Sequence, residues 1–325
     1  MLRGVGLKVA ATLAFAAMSA LIKAASTRFP VSEVVLFRSL FALMVLAGWL
    51  ASRGEFPRAL HTRRPFGHIG RSLAGSVAMF ATFIVLALLP LADATAFTFA
   101  TPLIVVPMAA FALGEIVRPY RWAGVGIGFI GVLVMLSDHL GEGVGEAARY
   151  RTLGVAIALG GAVSAAVATI QTRRLTDSEP TGAIVFYFSS VTAILSAGLL
   201  LAAAAWPATA PGGAFAAGQG FVAPTSGELL TLGAIGLLGG AGQILMTSSY
   251  RFADASIIAA FDYVAMIWAA ALGLVFFQEA PTPRILLGAA LVAAAGMFVL
   301  WREQSVRRIR PLPTASAPEA ATPTR

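Results

Sequence analysis

Two ionisable side chains lie deep inside apolar stretches of this sequence. Asp262, with Tyr263 beside it, falls in AAFDYVAMIWAA (residues 259–270), and Arg38 falls in LFRSLFALM. Charged groups are costly at bilayer depth and usually face a protein interior or a water-filled cavity. We therefore expect Asp262 to bind a ligand, to take up a proton or to pair with Arg38, and the two charges could also hold one zwitterionic compound. The alternative for Arg38 is a structural anchor that reaches up to the interface.

Hydroxyl groups follow one stripe of the apolar stretch 92–114. Thr95, Thr98 and Thr101 recur every three residues, and Pro102 follows them directly. Hydroxyl groups at this spacing either satisfy carbonyl groups that the proline frees or line a polar cavity. The pattern leaves both interpretations open.

Amide and aromatic side chains complete the set of candidates. An amide needs hydrogen-bond partners inside an apolar span, which singles out Gln171 and Gln243. Tyr187 lies at a similar depth and favours an aromatic or heterocyclic ligand. The predicted substrate-binding residues are Asp262, Tyr263, Arg38, Thr98, Thr101, Gln171, Gln243 and Tyr187.

The elements that must position these residues are membrane-spanning helices. Of the 325 residues, 58% are hydrophobic and only 12% are charged, and the mean hydropathy is +0.84. A soluble domain carries about 25% charged residues. The apolar residues come in blocks long enough to cross a hydrocarbon core of about 30 Å as helices. The composition predicts an all-α, polytopic membrane protein.

Ten blocks are predicted to span the membrane: 5–25, 32–52, 67–89, 92–114, 120–137, 152–174, 181–205, 228–249, 254–277 and 283–301. The first block could pass for a signal peptide, but its length and the spans that follow favour a retained helix. An even number of spans puts both termini on one side. Most arginines lie in the loops of that side, and positive loops mark the cytoplasm. Both termini are therefore predicted to be cytoplasmic. The arginine-rich loops account for the net charge of +8, and no nucleic-acid partner is predicted.

The chain contains an internal repeat. PLADATAF (90–97) returns as RFADASII (251–258), and each copy leads through an apolar helix to a glutamate, Glu115 or Glu279. We predict two five-helix halves, followed by a disordered cytoplasmic tail; their ranges are 1–138, 151–302 and 303–325. Because five is odd, the second half must cross the membrane in the opposite sense. Inverted repeats are typical of transporters, with the substrate site near the midplane between the halves.

These features resemble the EamA-type transporters of the drug/metabolite transporter superfamily. The resemblance covers residues 5–302 and rests on the two Asp-Ala-(Thr/Ser) helix starts and on Pro102, Glu115, Gly124, Arg38, Glu279 and Gly288. It implies a ten-helix inner-membrane carrier of small metabolites with a central cavity, and it leaves the substrate open. AFDYVAMIWA is similar to a subset that includes riboflavin and S-adenosylmethionine carriers. The second half departs from the commoner pattern, because Met266 stands where the register with Pro102 would allow a proline.

Charged residues at the ends of spans have structural explanations. Lys23 and Arg71 are predicted to snorkel towards the interface. Asp93 is predicted to cap the first turn of the fourth helix. Glu115 and Glu279 end their helices, where the helix dipole disfavours an anion, so each is expected to have a fixed partner that stabilises a hairpin.

Residue size predicts which helix faces pack closely. Asp262 shares its helix face with small residues such as Ala269, while Ile267 and Trp268 lie on the opposite, bulky face that suits lipid. The glycines of GVGIGFIG (124–131) favour a close contact between helices.

A secondary transporter that works by alternating access is the function that the sequence favours. No Gly-x-x-x-x-Gly-Lys-Ser/Thr motif for ATP is present, and a buried carboxylate such as Asp262 could carry a coupled proton. The alternatives are an intramembrane enzyme and a membrane scaffold or assembly factor. With no cysteine and three histidines in or beside loops, no catalytic residue, metal site or cofactor is predicted. The predicted partners are a small-molecule substrate and the lipid bilayer; a coupled proton or ion and the oligomeric state stay open.

Overall fold

The computed structural model describes most of the chain, namely residues 2–56, 60–113, 119–137, 146–176, 178–205, 220–249 and 264–309. These residues form eleven helices and no strand. The helices are α1 (Leu2–Ala25), α2 (Val31–Ser52), α3 (Pro65–Leu88), α4 (Leu91–Thr98), α5 (Ala100–Leu113), α6 (Pro119–Ser137), α7 (Glu146–Thr176), α8 (Thr181–Ala205), α9 (Ser226–Ser249), α10 (Val264–Phe277) and α11 (Pro283–Ile309). The fourth predicted span is divided between α4 and α5, and every other predicted span contains one helix.

Prolines set several of the helix starts. Pro65, Pro119 and Pro283 are the first residues of α3, α6 and α11, while Pro30 and Pro90 directly precede α2 and α4. Proline suits these positions because its fixed φ matches the helix and its missing N–H group would have no partner there. The helices therefore begin where the local sequence allows.

The described helices are apolar on the outside as well as inside. Six of them are long and apolar enough to cross a membrane, and four shorter apolar segments lie at Leu91–Val105, Trp122–Met135, Val264–Phe277 and Pro283–Val299. Large apolar side chains such as Leu230 and Val275 are exposed on the surface. Soluble proteins rarely expose contiguous apolar surfaces. The predicted fold class, an all-α protein that crosses the membrane several times, is confirmed.

Contacts between the two halves dominate the packing. α1 packs against α9 and α3 against α7, while α2 packs against both α8 and α9. α6 packs against α11, and α10 lies against α1 and α4. The hydrophobic core lies where these helices meet, and it includes Val35 and Phe97 of the first half with Leu232 and Ile285 of the second. The chain thus forms one bundle whose interior lies between the halves.

α6 and α11 touch through glycines. A Cβ atom on Gly131 would lie 2.7 Å from the carbonyl oxygen of Gly288, and one on Gly288 would lie 2.5 Å from the carbonyl oxygen of Gly131. Such distances leave no room for a side chain, so only glycine allows the two backbones to approach this closely. The prediction that GVGIGFIG favours close helix packing is confirmed.

Replacing Gly131 with valine is expected to lower the stability of the protein by about 1–3 kcal/mol, the usual cost of overpacking. The neighbouring Gly126 has open space around its Cβ position, so Gly126→Val is the matched control. Thermal unfolding of the detergent-solubilised protein measures both. Equal unfolding temperatures for the two variants would contradict the close contact.

The last helix extends past the predicted end of its repeat. α11 continues to Ile309, seven residues beyond the boundary at residue 302. The remaining part of the predicted tail, 310–325, lies outside the described residues, as do Glu115 and the first part of the ninth predicted span, 254–263.

The described part of the ninth span, α10, shows which of the predicted helix faces is buried. Ala269 is buried and Ile267 is exposed, as their positions on the small-residue and bulky faces indicate. Trp268 differs from the prediction, because it is half-buried and its Nε1 atom is buried without a hydrogen-bond partner. Its face is therefore covered by protein at this point.

Candidate functional site

A cavity of about 480 Å³ lies between helices of both halves. Helices α1, α3, α4 and α5 contribute from the first half, and α7 and α9 from the second. The polar groups on its wall are the hydroxyl groups of Thr82, Thr98 and Thr101, and the rest of the wall is apolar or small, including Ala158 and Ala165. A mostly apolar wall with a few polar groups is typical of small-molecule sites.

The threonine stripe borders a break in the fourth span. α4 ends at Thr98, and the N–H group of Phe99 bonds to the carbonyl oxygen of Ala96 at 3.1 Å. The carbonyl group of Thr95 is left for the Thr98 hydroxyl group, which donates to it at 2.6 Å. Pro102 has no N–H group and cannot donate to the carbonyl group of Thr98, which explains the position of the break. The Thr98 hydroxyl group thus satisfies a carbonyl group that the break leaves free, and Thr98 also lines the cavity.

Arg38 is buried at the contact between α2, α8 and α9. Only 6% of its surface is exposed, and its Cζ atom lies 5.9 Å from the centroid of the Phe188 ring. Gly239 on α9 leaves space for it, since a Cβ atom there would lie 3.1 Å from Arg38 Nε. That Nε group is buried without a hydrogen-bond acceptor. The guanidinium group is thus enclosed by helices of both halves.

Arg71 lies close to the same ring. Its Cζ atom is 4.3 Å from the Phe188 centroid, and its Nε donates to the hydroxyl group of Thr172 on α7 at 3.1 Å. The prediction that Arg71 snorkels from a span end is therefore wrong. The missed signal is Pro65, which starts α3 two residues before the predicted span and places Arg71 about 9 Å along the helix, at 1.5 Å per residue.

The remaining candidates are distributed over several places. Gln171 lies beside Gly70 on α3 with its Oε1 atom buried and without a partner. Gln243 is half-buried on α9. Tyr187 packs against the His68 ring, with centroids 4.8 Å apart, and does not line the cavity described above. Asp262 and Tyr263 lie outside the described residues.

The ring of His68 belongs to a polar cluster that joins α3 to the α7–α8 connection. Its Nε2 atom lies 3.3 Å from a carboxylate oxygen of Glu179, whose other oxygen accepts the N–H group of Arg63 at 3.0 Å. Burial by itself would raise the pKa of Glu179. Hydrogen bonds from the Thr62 hydroxyl group, the Arg63 N–H group and the His68 ring outweigh it and hold this pKa below its usual value. The cluster thus connects the two halves through hydrogen bonds to the Glu179 carboxylate.

Glu279 forms a second contact between the halves, at the opposite end of α3. Gln278 directly follows α10 and has a left-handed conformation, with φ of 54°, which turns the chain so that Glu279 points at the first half. One oxygen of Glu279 lies 3.0 Å from Lys23 Nζ, and the other accepts the N–H group of Leu91 at 3.0 Å. Lys23 also donates to the carbonyl group of Leu89 at 2.6 Å.

This contact corrects one prediction and supports another. Lys23 does not snorkel, because its ammonium group is held by a carboxylate and a carbonyl group. Asp93 is the third residue of α4, whose N-cap position is Pro90, with no side-chain cap bond. Asp93 lies in the first turn of α4, as predicted, and the N–H group of Leu91 in that turn is satisfied by Glu279 from the other half. Glu279 does have fixed partners, as expected from its repetition.

Comparisons with known proteins agree with this architecture. The model of the EamA-like transporter family matches residues 2–137 and, a second time, residues 152–301. A solved crystal structure aligns with 93% of this chain and 98% of its own, with a TM-score of 0.63 and 22% sequence identity. At that identity the structural match supports the fold alone.

Several curated relatives are similar over almost their full length. The pseudopaline exporter CntI of Pseudomonas aeruginosa is 29% identical over 303 residues, covering 90% of this chain and 94% of the relative. The S-adenosylmethionine uptake transporter of Rickettsia prowazekii is 28% identical over 278 residues, with 86% and 85% covered. The riboflavin transporter of Rhizobium johnstonii is 29% identical over 280 residues, with 86% and 84% covered.

The names of these relatives all describe transport, which excludes the enzyme and scaffold alternatives. The family model accounts for both halves of the chain. The protein is a membrane transporter that belongs to the EamA-like transporter family.

Proposed function

We propose that this chain carries a small metabolite across the bacterial inner membrane by alternating access. The observation that carries the proposal is the cavity, whose wall is built by helices of both halves. It also borders the break between α4 and α5, and discontinuous helices at a site between repeats are characteristic of secondary transporters. Rocking of one half against the other would expose such a cavity first to one side of the membrane and then to the other.

The two halves are proposed to be inverted repeats, residues 1–138 and 151–302. If α1 corresponds to α7 and α3 to α9, then the contact of α1 with α9 and the contact of α7 with α3 are the same contact seen twice. The contact of α2 with α8 and that of α6 with α11 each join a helix to its own counterpart. This pairing supports the repeat, and the arginine-rich loops support cytoplasmic termini.

The proposed substrate is an aromatic or zwitterionic compound, with riboflavin, S-adenosylmethionine and amino acids as the first candidates. The names of the relatives support this choice, and so does the mostly apolar wall with three hydroxyl groups. The proposed substrate-binding residues are Arg38, Thr98, Thr101, Gln171, Gln243, Tyr187, Asp262 and Tyr263.

Uptake into vesicles that contain the purified protein tests the proposal. With a pool of small metabolites on one side, we expect saturable accumulation of one class of compound, absent from protein-free vesicles. Analysis of the vesicle contents identifies the compound, and both vesicle orientations are assayed so that import and export are distinguished. A protein that moves no member of the pool in either direction would contradict the proposal.

Coupling to a proton is tested in the same vesicles. If Asp262 carries the proton, Asp262→Asn should abolish accumulation against a gradient and retain exchange of labelled for unlabelled substrate. Full gradient-driven transport by this variant would show that Asp262 is not the coupling residue.

A further inference from the structure

Arg38 and Arg71 place two guanidinium groups around one aromatic ring. Their Cζ atoms lie 5.9 and 4.3 Å from the centroid of Phe188, so the two atoms are at most about 10 Å apart. The residues come from α2, α3 and α8, at the contact between the two halves. Two like charges this close repel each other, all the more because burial weakens solvent screening.

Neither charge is neutralised by the described part of the chain. Within the described residues, neither arginine forms an ion pair with a carboxylate. Nε of Arg38 and one terminal nitrogen of Arg71 are buried without any hydrogen-bond acceptor. A buried donor without a partner costs about 1–3 kcal/mol, and more for a charged group. The two guanidinium groups thus have positive charge and N–H donors without partners, and a bound anion would satisfy both.

Glycines of α3 and α9 pack tightly against both arginines and the Phe188 ring. Gly239 lies against Arg38, and Gly75 lies against Phe188 and Arg71, where a Cβ atom would be 2.9 Å from the ring. Arg38 is almost fully buried, whereas Arg71 is half-buried. A ligand would therefore meet Arg71 first and reach Arg38 behind it.

We propose that Arg38 and Arg71 together bind the oxyanion of the transported metabolite, a carboxylate or a phosphate group. Guanidinium groups suit such oxygens because their planar forks donate two parallel hydrogen bonds. The proposal rests on the proposed function in that it assigns the anion to the substrate, and it favours S-adenosylmethionine and amino acids, which carry a carboxylate, over riboflavin, which carries no such group. An ion pair between Arg38 and Asp262 would leave Arg71 unaccounted for, so it does not replace the anion.

Binding of simple anions to the detergent-solubilised full chain tests this site without any transport assay. Succinate and inorganic phosphate are the probes, and succinamide, which is neutral and of similar shape, is the matched control at equal ionic strength. We expect succinate or phosphate to raise the unfolding temperature and succinamide to leave it unchanged. Arg71→Gln and Arg38→Gln should each weaken the binding of succinate and phosphate by at least about thirtyfold, the low end for removing one partner of a buried charge pair. Arg53→Gln, at the exposed end of α2, should bind as the parent does.

The stability of the anion-free variants separates a ligand site from a structural role. Removing one of two repelling, unpaired charges should leave the unfolding temperature of Arg71→Gln equal to that of the parent or higher. A structural arginine would give a clear decrease. Arg71→Lys keeps the charge but loses the fork, and we expect it to bind succinate with intermediate strength. If Arg38→Gln does not fold, the half-buried Arg71 decides the result by itself.

Three results would overturn the site: equal effects of succinate and succinamide, no stabilisation by succinate or phosphate, or unchanged anion binding in Arg71→Gln. The proposed function fails on different evidence, namely the absence of metabolite movement in vesicles. If the protein binds anions at Arg71 but transports no metabolite, the anion site stands and the proposed transport function is contradicted.

Discussion

Replacing Ala165 with tryptophan is expected to abolish transport while the protein still folds. Ala165 lies on the wall of the cavity between the halves, and an indole ring there would occupy the space of a substrate. Because the ring and the substrate cannot occupy the cavity together, we expect uptake to fall to the level of protein-free vesicles. Initial uptake rates in vesicles, at several substrate concentrations, measure the effect.

Val163 provides the matched control for this variant. It lies on the same helix, two residues earlier, and 47% of its surface is exposed, so Val163→Trp adds the same ring on the outside of α7. We expect its uptake to equal that of the parent. Unimpaired transport by Ala165→Trp would exclude this cavity from the substrate path, and equal losses in both variants would point to a general defect of α7.

Lys23→Met is expected to destabilise the protein by about 1–3 kcal/mol, the cost of leaving buried polar partners unsatisfied. The substitution removes the cation from Glu279 and the donor from the carbonyl group of Leu89. Only 14% of the Lys23 side chain and 26% of the Glu279 side chain are exposed, so water replaces these contacts incompletely. Thermal unfolding in detergent at neutral pH measures the loss.

An exposed ion pair and a charge reversal make this prediction specific. Arg53 and Glu55 lie 3.7 Å apart and are largely exposed, so Arg53→Met should change stability by no more than about 1 kcal/mol. The double variant Lys23→Glu/Glu279→Lys restores opposite charges. It should still be unstable, because a lysine at 279 cannot accept the N–H group of Leu91 and a glutamate at 23 cannot donate to Leu89. Full recovery would show that charge attraction alone explains the contact.

Local patterns were sufficient for features that depend on a single helix or on chain order. The apolar blocks predicted the spans because length and hydrophobicity decide whether a helix can cross a bilayer. The glycines of residues 124–131 predicted a close helix contact, which Gly131 makes with Gly288. The threonine stripe predicted both hydrogen bonds along its own helix and a polar wall, and Thr98 provides both.

Residues whose role depends on another helix were assigned less well. Lys23 and Arg71 both lie near span ends, where snorkelling is the ordinary explanation for a long cation. Their actual partners, Glu279 and Phe188, are far away in sequence and belong to the other half. Tyr187 was selected for its depth alone, and the structure places it against His68.

The amino-acid sequence was sufficient to predict the membrane setting and to identify Arg38 as a residue of interest. Each follows from local hydrophobicity or from the cost of a charge at bilayer depth. Only the tertiary structure decided that Arg38 and Arg71 share one ring and that Glu279 holds Lys23 and Leu91. The physical reason is that helices of one half pack on helices of the other. The rotation of each helix and its depth relative to its neighbours decide which side chains meet. The spacing of residues within one helix does not specify how that helix is placed against a helix of the other half.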